Sequence, residues 1–181
     1  LLIFVILISF SSDLIAKKAA IVVDFDTNEV LFEKNADTKN YPASLTKIMT
    51  LYLLFEALQN RRITLGTRMK VSKVAASRSP SKLYLKPGQT ITVENAILAL
   101  VTKSANDVAT VVSEHLGGNE RNFAKKMTRK AKAIGMKRTI FKNASGLPNQ
   151  AQLSTARDMA RLGIAIRRDF PQYFKFFNST S

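Results

Sequence analysis

Residues 44–58 read Ser44-Leu45-Thr46-Lys47-Ile48-Met49-Thr50-Leu51-Tyr52-Leu53-Leu54-Phe55-Glu56-Ala57-Leu58. On a helix, the apolar members (Ile48, Met49, Leu51, Leu53, Leu54, Phe55, Leu58) fall on nearly every side. A helix with no face to give to water belongs in the middle of a domain. Its first turn carries Ser-x-x-Lys. Positions i and i+3 share a helix face, with Cβ atoms roughly 5–6 Å apart. Ser44 then sits at the helix N-terminus, where the dipole favours a developing alkoxide. Lys47, one turn in and desolvated, can have its pKa lowered enough to act as a base. Together they form the Ser–Lys version of an activated nucleophile. A lone Ser-x-x-Lys recurs by chance; a polar pair inside an otherwise apolar helix needs a reason.

The composition agrees with a base that is not histidine. The 181 residues hold one His, His115, and no Cys. Disulfides and a cysteine nucleophile are excluded, and one His cannot build a Cys/His zinc site. His115 precedes Gly117-Gly118, a helix stop, where a structural role suits the dipole. Lys and Arg number 28 against 13 Asp and Glu, a net charge of +15, with 46% apolar residues. The length suits one domain with a real core. The charge points to an anionic partner: nucleic acid, anionic lipid, or an acidic polymer such as a wall.

Outward from the central helix, Ala20–Asp24 is β-branched and Asp26-Thr27-Asn28 are turn formers, so 20–34 reads as a β-hairpin. Lys86-Pro87-Gly88-Gln89 is a turn. Thr92 caps a helix running to about Val101, and Lys103–Asn106 interrupts before helical spacing resumes over Val108–Leu116. Asn119–Ile134 is amphipathic, with Phe123, Met127, Ala131 and Ile134 on one stripe. Asn143–Pro148 is a turn cluster. Ser154 or Thr155 caps a helix to about Ile166, and Thr155 with Asp158 approximates a capping box. The aromatic tail, Phe170–Phe177, reads as a core helix in preference to a membrane element. Leu1–Phe10 is too short to span a membrane and has the length of a secretory h-region. A partial secretory signal is therefore expected over 1–16, which places the protein outside the cytoplasm, in the periplasm or at the envelope surface.

Sixty residues after Ser44 comes Lys103-Ser104-Ala105-Asn106, where one apolar helix ends and the next begins. Ser104 could relay a proton, and the Asn106 amide could bind a peptide group. Pro42–Thr50 followed by Lys103–Asp107 closely resembles the D-alanyl-D-alanine carboxypeptidases, the low-molecular-weight penicillin-binding proteins. The hairpin, LKPGQTITVENAILAL and FKNASGLPNQAQLSTARDMARL look like that family too, so the resemblance runs over roughly 19–170.

The resemblance implies an α/β (α+β) fold of the β-lactamase/transpeptidase-like kind. That fold has a central antiparallel sheet flanked by helices, plus a helical subdomain holding Ser104. It further implies that Ser44 attacks the bond between the terminal D-alanines of a peptidoglycan stem peptide. Lys47 takes its proton, Ser104 passes one to the leaving nitrogen, and Asn106 holds the substrate backbone. A β-lactam would acylate Ser44, and no metal or organic cofactor is called for.

Two departures stand out. The family's third motif, Lys-Thr-Gly on a later strand, occurs nowhere in the 181 residues. Residues 17–181 are therefore expected to form an incomplete catalytic domain lacking the C-terminal sheet strands, with impaired turnover. Ser145 also stands where the family often has His in His-Gly-Leu. A serine β-lactamase on the same fold is the nearest rival. Class A members deacylate with a Glu, yet no Asp or Glu lies between Arg121 and Arg157. A non-catalytic peptidoglycan-binding remnant is another alternative. A nucleic-acid binder is disfavoured. The eight cations of Arg121–Arg138 are interleaved only by Phe123, on the apolar stripe, so this is a solvated face that suits an anionic wall or membrane.

Overall fold

The computed structural model describes residues 18–179. The signal expected over 1–16 lies outside the described residues.

The central helix, α1 (Thr46–Gln59), is buried along almost its whole length, from Thr46 and Lys47 to Leu58. Four more helices pack around it: α3 (Val93–Thr102), α4 (Asn106–Gly117), α5 (Glu120–Ala133) and α6 (Ala156–Asp169). A helix apolar all round needs such a surrounding, because each of its faces must lose water contact to stabilise the fold. Side chains supply the starts of three of the outer helices, α3, α5 and α6. The hydroxyls of Thr92 and Thr155 and the side-chain oxygen of Asn119 accept from backbone N–H groups three residues on.

At Thr155 only half of the expected capping box forms. Asp158 Oδ2 does not return to the cap; it accepts from Arg138 N–H and the Thr139 hydroxyl, each at 2.8 Å. The carboxylate, 1% exposed, thus bolts the 138–139 loop to α6.

The hairpin is as expected. Strand β1 (Ala20–Val23) pairs antiparallel with β2 (Val30–Lys34), Ala20 opposite Lys34. Asp24 Oδ1 closes the turn by accepting from the N–H groups of Asp26 and Thr27 at 3.0 and 2.8 Å. Arg157 on α6 pairs with Glu33 and Asp37, which fastens the hairpin to the helical body.

A second sheet was not legible beforehand. Strands β3 (Arg68–Lys70) and β4 (Thr90–Thr92) pair antiparallel, each three residues long with one inward apolar side chain, Met69 and Ile91. Three residues are too few to show a period-two pattern. The four-residue α2 (Lys73–Ala76), capped by Ser72, escaped notice for the same reason.

The aromatic tail packs into the core, as a 3-10 helix (Pro171–Asn178) rather than an α-helix. Phe55, fully buried, meets Phe170, Tyr173 and Phe177 with ring centroids 6.0, 5.1 and 6.3 Å away. Tyr52 donates to Asp169 Oδ2 at 2.6 Å, tying α1 to the end of α6. No described helix is long and apolar enough to cross a membrane.

Candidate active site

Ser44 lies in a 3-10 turn, Ala43–Leu45, that leads into α1, so the α-helix proper begins two residues later than the spacing suggested. Ala43, just before it, is held at φ 46°, a left-handed conformation that costs a non-glycine residue energy. Ser44 is exposed and Lys47 is buried, 3% exposed. One side chain faces the solvent while its partner is withdrawn from it.

Across from them, Ser104 sits between α3 and α4, also left-handed at φ 52°. The structure brings Ser44, Lys47 and Ser104 to one cleft of roughly 500 Å³, whose apolar wall includes Leu51, Leu100 and Phe177. Two strained residues therefore flank the same cleft, each held by the elements on either side.

Burial draws the Lys47 ammonium down from 10.5 to about 8, because desolvation penalises the charged form. Its Nζ donates to the Ser145 carbonyl oxygen at 2.6 Å. One turn on, the Thr50 hydroxyl donates to the Ala144 carbonyl at 2.7 Å. Successive carbonyls of the 143–148 turn thus meet residues i and i+3 of α1.

That turn is itself tightly held. Gln152 Oε1 accepts from Lys142 and Asn143 N–H groups, and Glu120 Oε1 accepts from Ala144 N–H. Gly146 adopts φ 89°, and a Cβ there would stand 1.8 Å from the Ala43 carbonyl oxygen. Only glycine lets the turn press against the backbone carrying Ser44.

Asn106 is placed behind the cleft, 5% exposed. Its Nδ2 donates to the Ser79 carbonyl at 3.1 Å, and its backbone N–H to the Ser81 carbonyl at 2.7 Å. Asp107, in the first turn of α4, is fully buried. Its carboxylate accepts from the N–H groups of Leu83, Leu85 and Val108, so the turn carrying Ser104 and the 79–85 segment form one bonded unit. A buried carboxylate is stabilised by several N–H donors in place of water, and two of these, Leu83 and Leu85, lie 24 and 22 residues away in sequence.

Sequence reasoning did not find the Ser145 carbonyl, Gly146 or Asp107 as parts of this site. The one available signal was the turn cluster Asn143–Pro148. Ser145 contributes through its backbone, so exchange of His for Ser leaves that contact in place. His115, exposed on the last turn of α4, does not line the cleft. Among the described residues no group of three or more His, Cys, Asp or Glu could hold a metal ion.

A helix-borne Ser-x-x-Lys faced across a cleft by a Ser-x-Asn turn, on helices packed with small antiparallel sheets, is the arrangement of the β-lactamase/transpeptidase-like fold. Solved structures bear this out. A D-alanyl-D-alanine carboxypeptidase DacD from Francisella tularensis superposes with a TM-score of 0.87 at 36% identity, over 92% of this chain and 40% of that one. Penicillin-Binding Protein D2 from Listeria monocytogenes, in its ampicillin-bound form, gives 0.80 at 31% identity, over 89% and 65%. Among curated proteins, D-alanyl-D-alanine carboxypeptidase DacF of Bacillus subtilis is 40% identical over 143 residues, 79% of this chain and 37% of its own length. The family model described as D-alanyl-D-alanine carboxypeptidase matches residues 8–181, and the chain belongs to that family. It spans about two fifths of the length of the first curated relatives it matches.

Proposed function

We propose that the protein is a serine-type D-alanyl-D-alanine carboxypeptidase acting on peptidoglycan stem peptides. The observation that carries this is the shared cleft, in which exposed Ser44 and half-buried Ser104 flank a Lys47 whose pKa burial lowers to about 8. With that value roughly a tenth of Lys47 is neutral at pH 7. Neutral Nζ takes the Ser44 proton as Oγ forms a bond to the penultimate D-Ala carbonyl carbon. The C–N bond then breaks, and the leaving D-Ala nitrogen takes a proton by way of Ser104. Asn106, with the 79–81 segment it is bonded to, holds the substrate backbone. Water adds to the Ser44 ester and frees the shortened peptide. A β-lactam carbonyl meets the same Oγ, and the Listeria neighbour's ampicillin-bound form supports that reading. The family and the apolar start of the chain favour action outside the cytoplasm, in the periplasm or at the cell-envelope surface.

Fluorescent penicillin tests the reading. A label that resists hydrolysis and disappears on Ser44→Ala is the expected result. Rapid turnover of the β-lactam would instead indicate a serine β-lactamase, and absence of label at any dose a non-catalytic binding remnant.

A further inference from the structure

On α5 the side chains of Arg121, Lys125, Arg129 and Lys132 recur every three or four residues and are all exposed. They form one row, turned away from the buried stripe of Phe123, Met127 and Ala131. With Lys142 and the half-exposed Ile140 they line a groove of roughly 510 Å³ beside the segment that leads into the 143–148 turn. No acid lines the groove, and none of its five cations makes an ion pair or side-chain hydrogen bond among the described residues. Lys130, on the opposite side of the same helix, pairs with Glu56 instead. Like charges at these spacings destabilise a helix, so folding alone gives no reason for the row.

We propose that this groove binds an extended phosphodiester polymer laid along α5, with successive phosphates on successive cations. The spacing fits. Four helical residues rise about 6 Å. An extended chain advances about 3.3–3.6 Å per three backbone bonds, so a six-bond phosphodiester repeat advances about 7 Å. Concavity favours a strand over a bilayer surface, which cannot enter a groove. A helix lying in a membrane interface also turns its apolar face to lipid, whereas the apolar stripe of α5 is in the core. A polymer bearing bases would find no stacking platform, because Phe123 and Phe141 are buried.

The proposal stands apart from the acyl-transfer reading, and its test measures binding alone. The probe is a fluorescein-labelled synthetic poly(glycerol phosphate), titrated by anisotropy at several salt concentrations. The triple variant Lys125→Ser/Arg129→Ser/Lys132→Ser should weaken binding at least about tenfold. It should also lower the log–log salt slope by about 2, near 0.7 for each lost contact. A control with the same net charge, Lys70→Ser/Lys73→Ser/Lys86→Ser, should stay within about twofold of the parent, because counterion release is set by cations in contact. All six positions are exposed, and circular dichroism checks that both variants keep the helices. Equal weakening by the two triples would overturn the proposal. So would a polyuronate of matched charge binding as tightly, or phosphatidylglycerol vesicles binding through the groove while the free polymer does not.

Discussion

Lys47 shows how far the surroundings of one residue change its chemistry. In the unfolded chain its ammonium titrates near 10.5, and in the fold near 8. Between those values the unfolded state binds more protons, so stability rises as pH goes from about 8 to about 10.5 and this contribution is smallest below 8. Urea denaturation across that window should show this rise in the parent chain and not in Lys47→Met. The rate of penicillin labelling should climb with pH along a curve of apparent pKa about 8, as neutral Nζ becomes available. A rate flat between pH 7 and 9 would remove Lys47 as the base. The pair itself was legible, because Ser44 and Lys47 are three residues apart and helix geometry alone brings them together. The Ser145 carbonyl was not: it is a backbone atom 98 residues away, and no side-chain pattern announces it.

At the scale of elements, the site depends on one turn pressed against another. The 143–148 turn meets the Ala43–Leu45 turn so closely that Gly146 has no room for a methyl group. Gly146→Ala must either displace the backbone at Ala43 or abandon its left-handed φ. Labelling of Ser44 is expected to slow at least about tenfold, equivalent to about 1.4 kcal/mol at the transition state. Far-UV circular dichroism should change little, since only the short Ala43–Leu45 turn before α1 adjoins Gly146 and the longer helices lie elsewhere. Unchanged labelling would mean that the turn does not position Ser44. The helices were well marked in sequence by caps, glycine stops and apolar stripes. The short β3–β4 pair and α2 were not, because elements of three or four residues carry too little periodicity to read.

For the whole molecule, the decisive feature is that α1 is enclosed by helices drawn from residues 93–178, including the aromatic tail. Phe55 is at the junction of α1 with the tail. Truncation by Phe55→Ala should cost about 3–5 kcal/mol, read as a lower denaturation midpoint with an unchanged slope. Phe177 belongs to both the tail and the cleft wall, so a loosened tail should also slow labelling of Ser44. A loss below about 1 kcal/mol would show that the tail is not part of the cooperative core.

The sequence by itself determined a buried central helix, a Ser–Lys pair on its first turn, a hairpin before it and amphipathic helices after it. Those features rest on spacing, and the local geometry of helices and turns converts spacing directly into position. It also determined the family resemblance, through motifs that are short and contiguous. Only the tertiary structure decided that Ser104 faces Ser44 across a cleft, that Asp107 is a buried brace, and that five cations line a groove with no counter-charge. Each of those depends on contacts between residues far apart in the chain, and burial, which fixes both pKa and the need for partners, exists only once they are made.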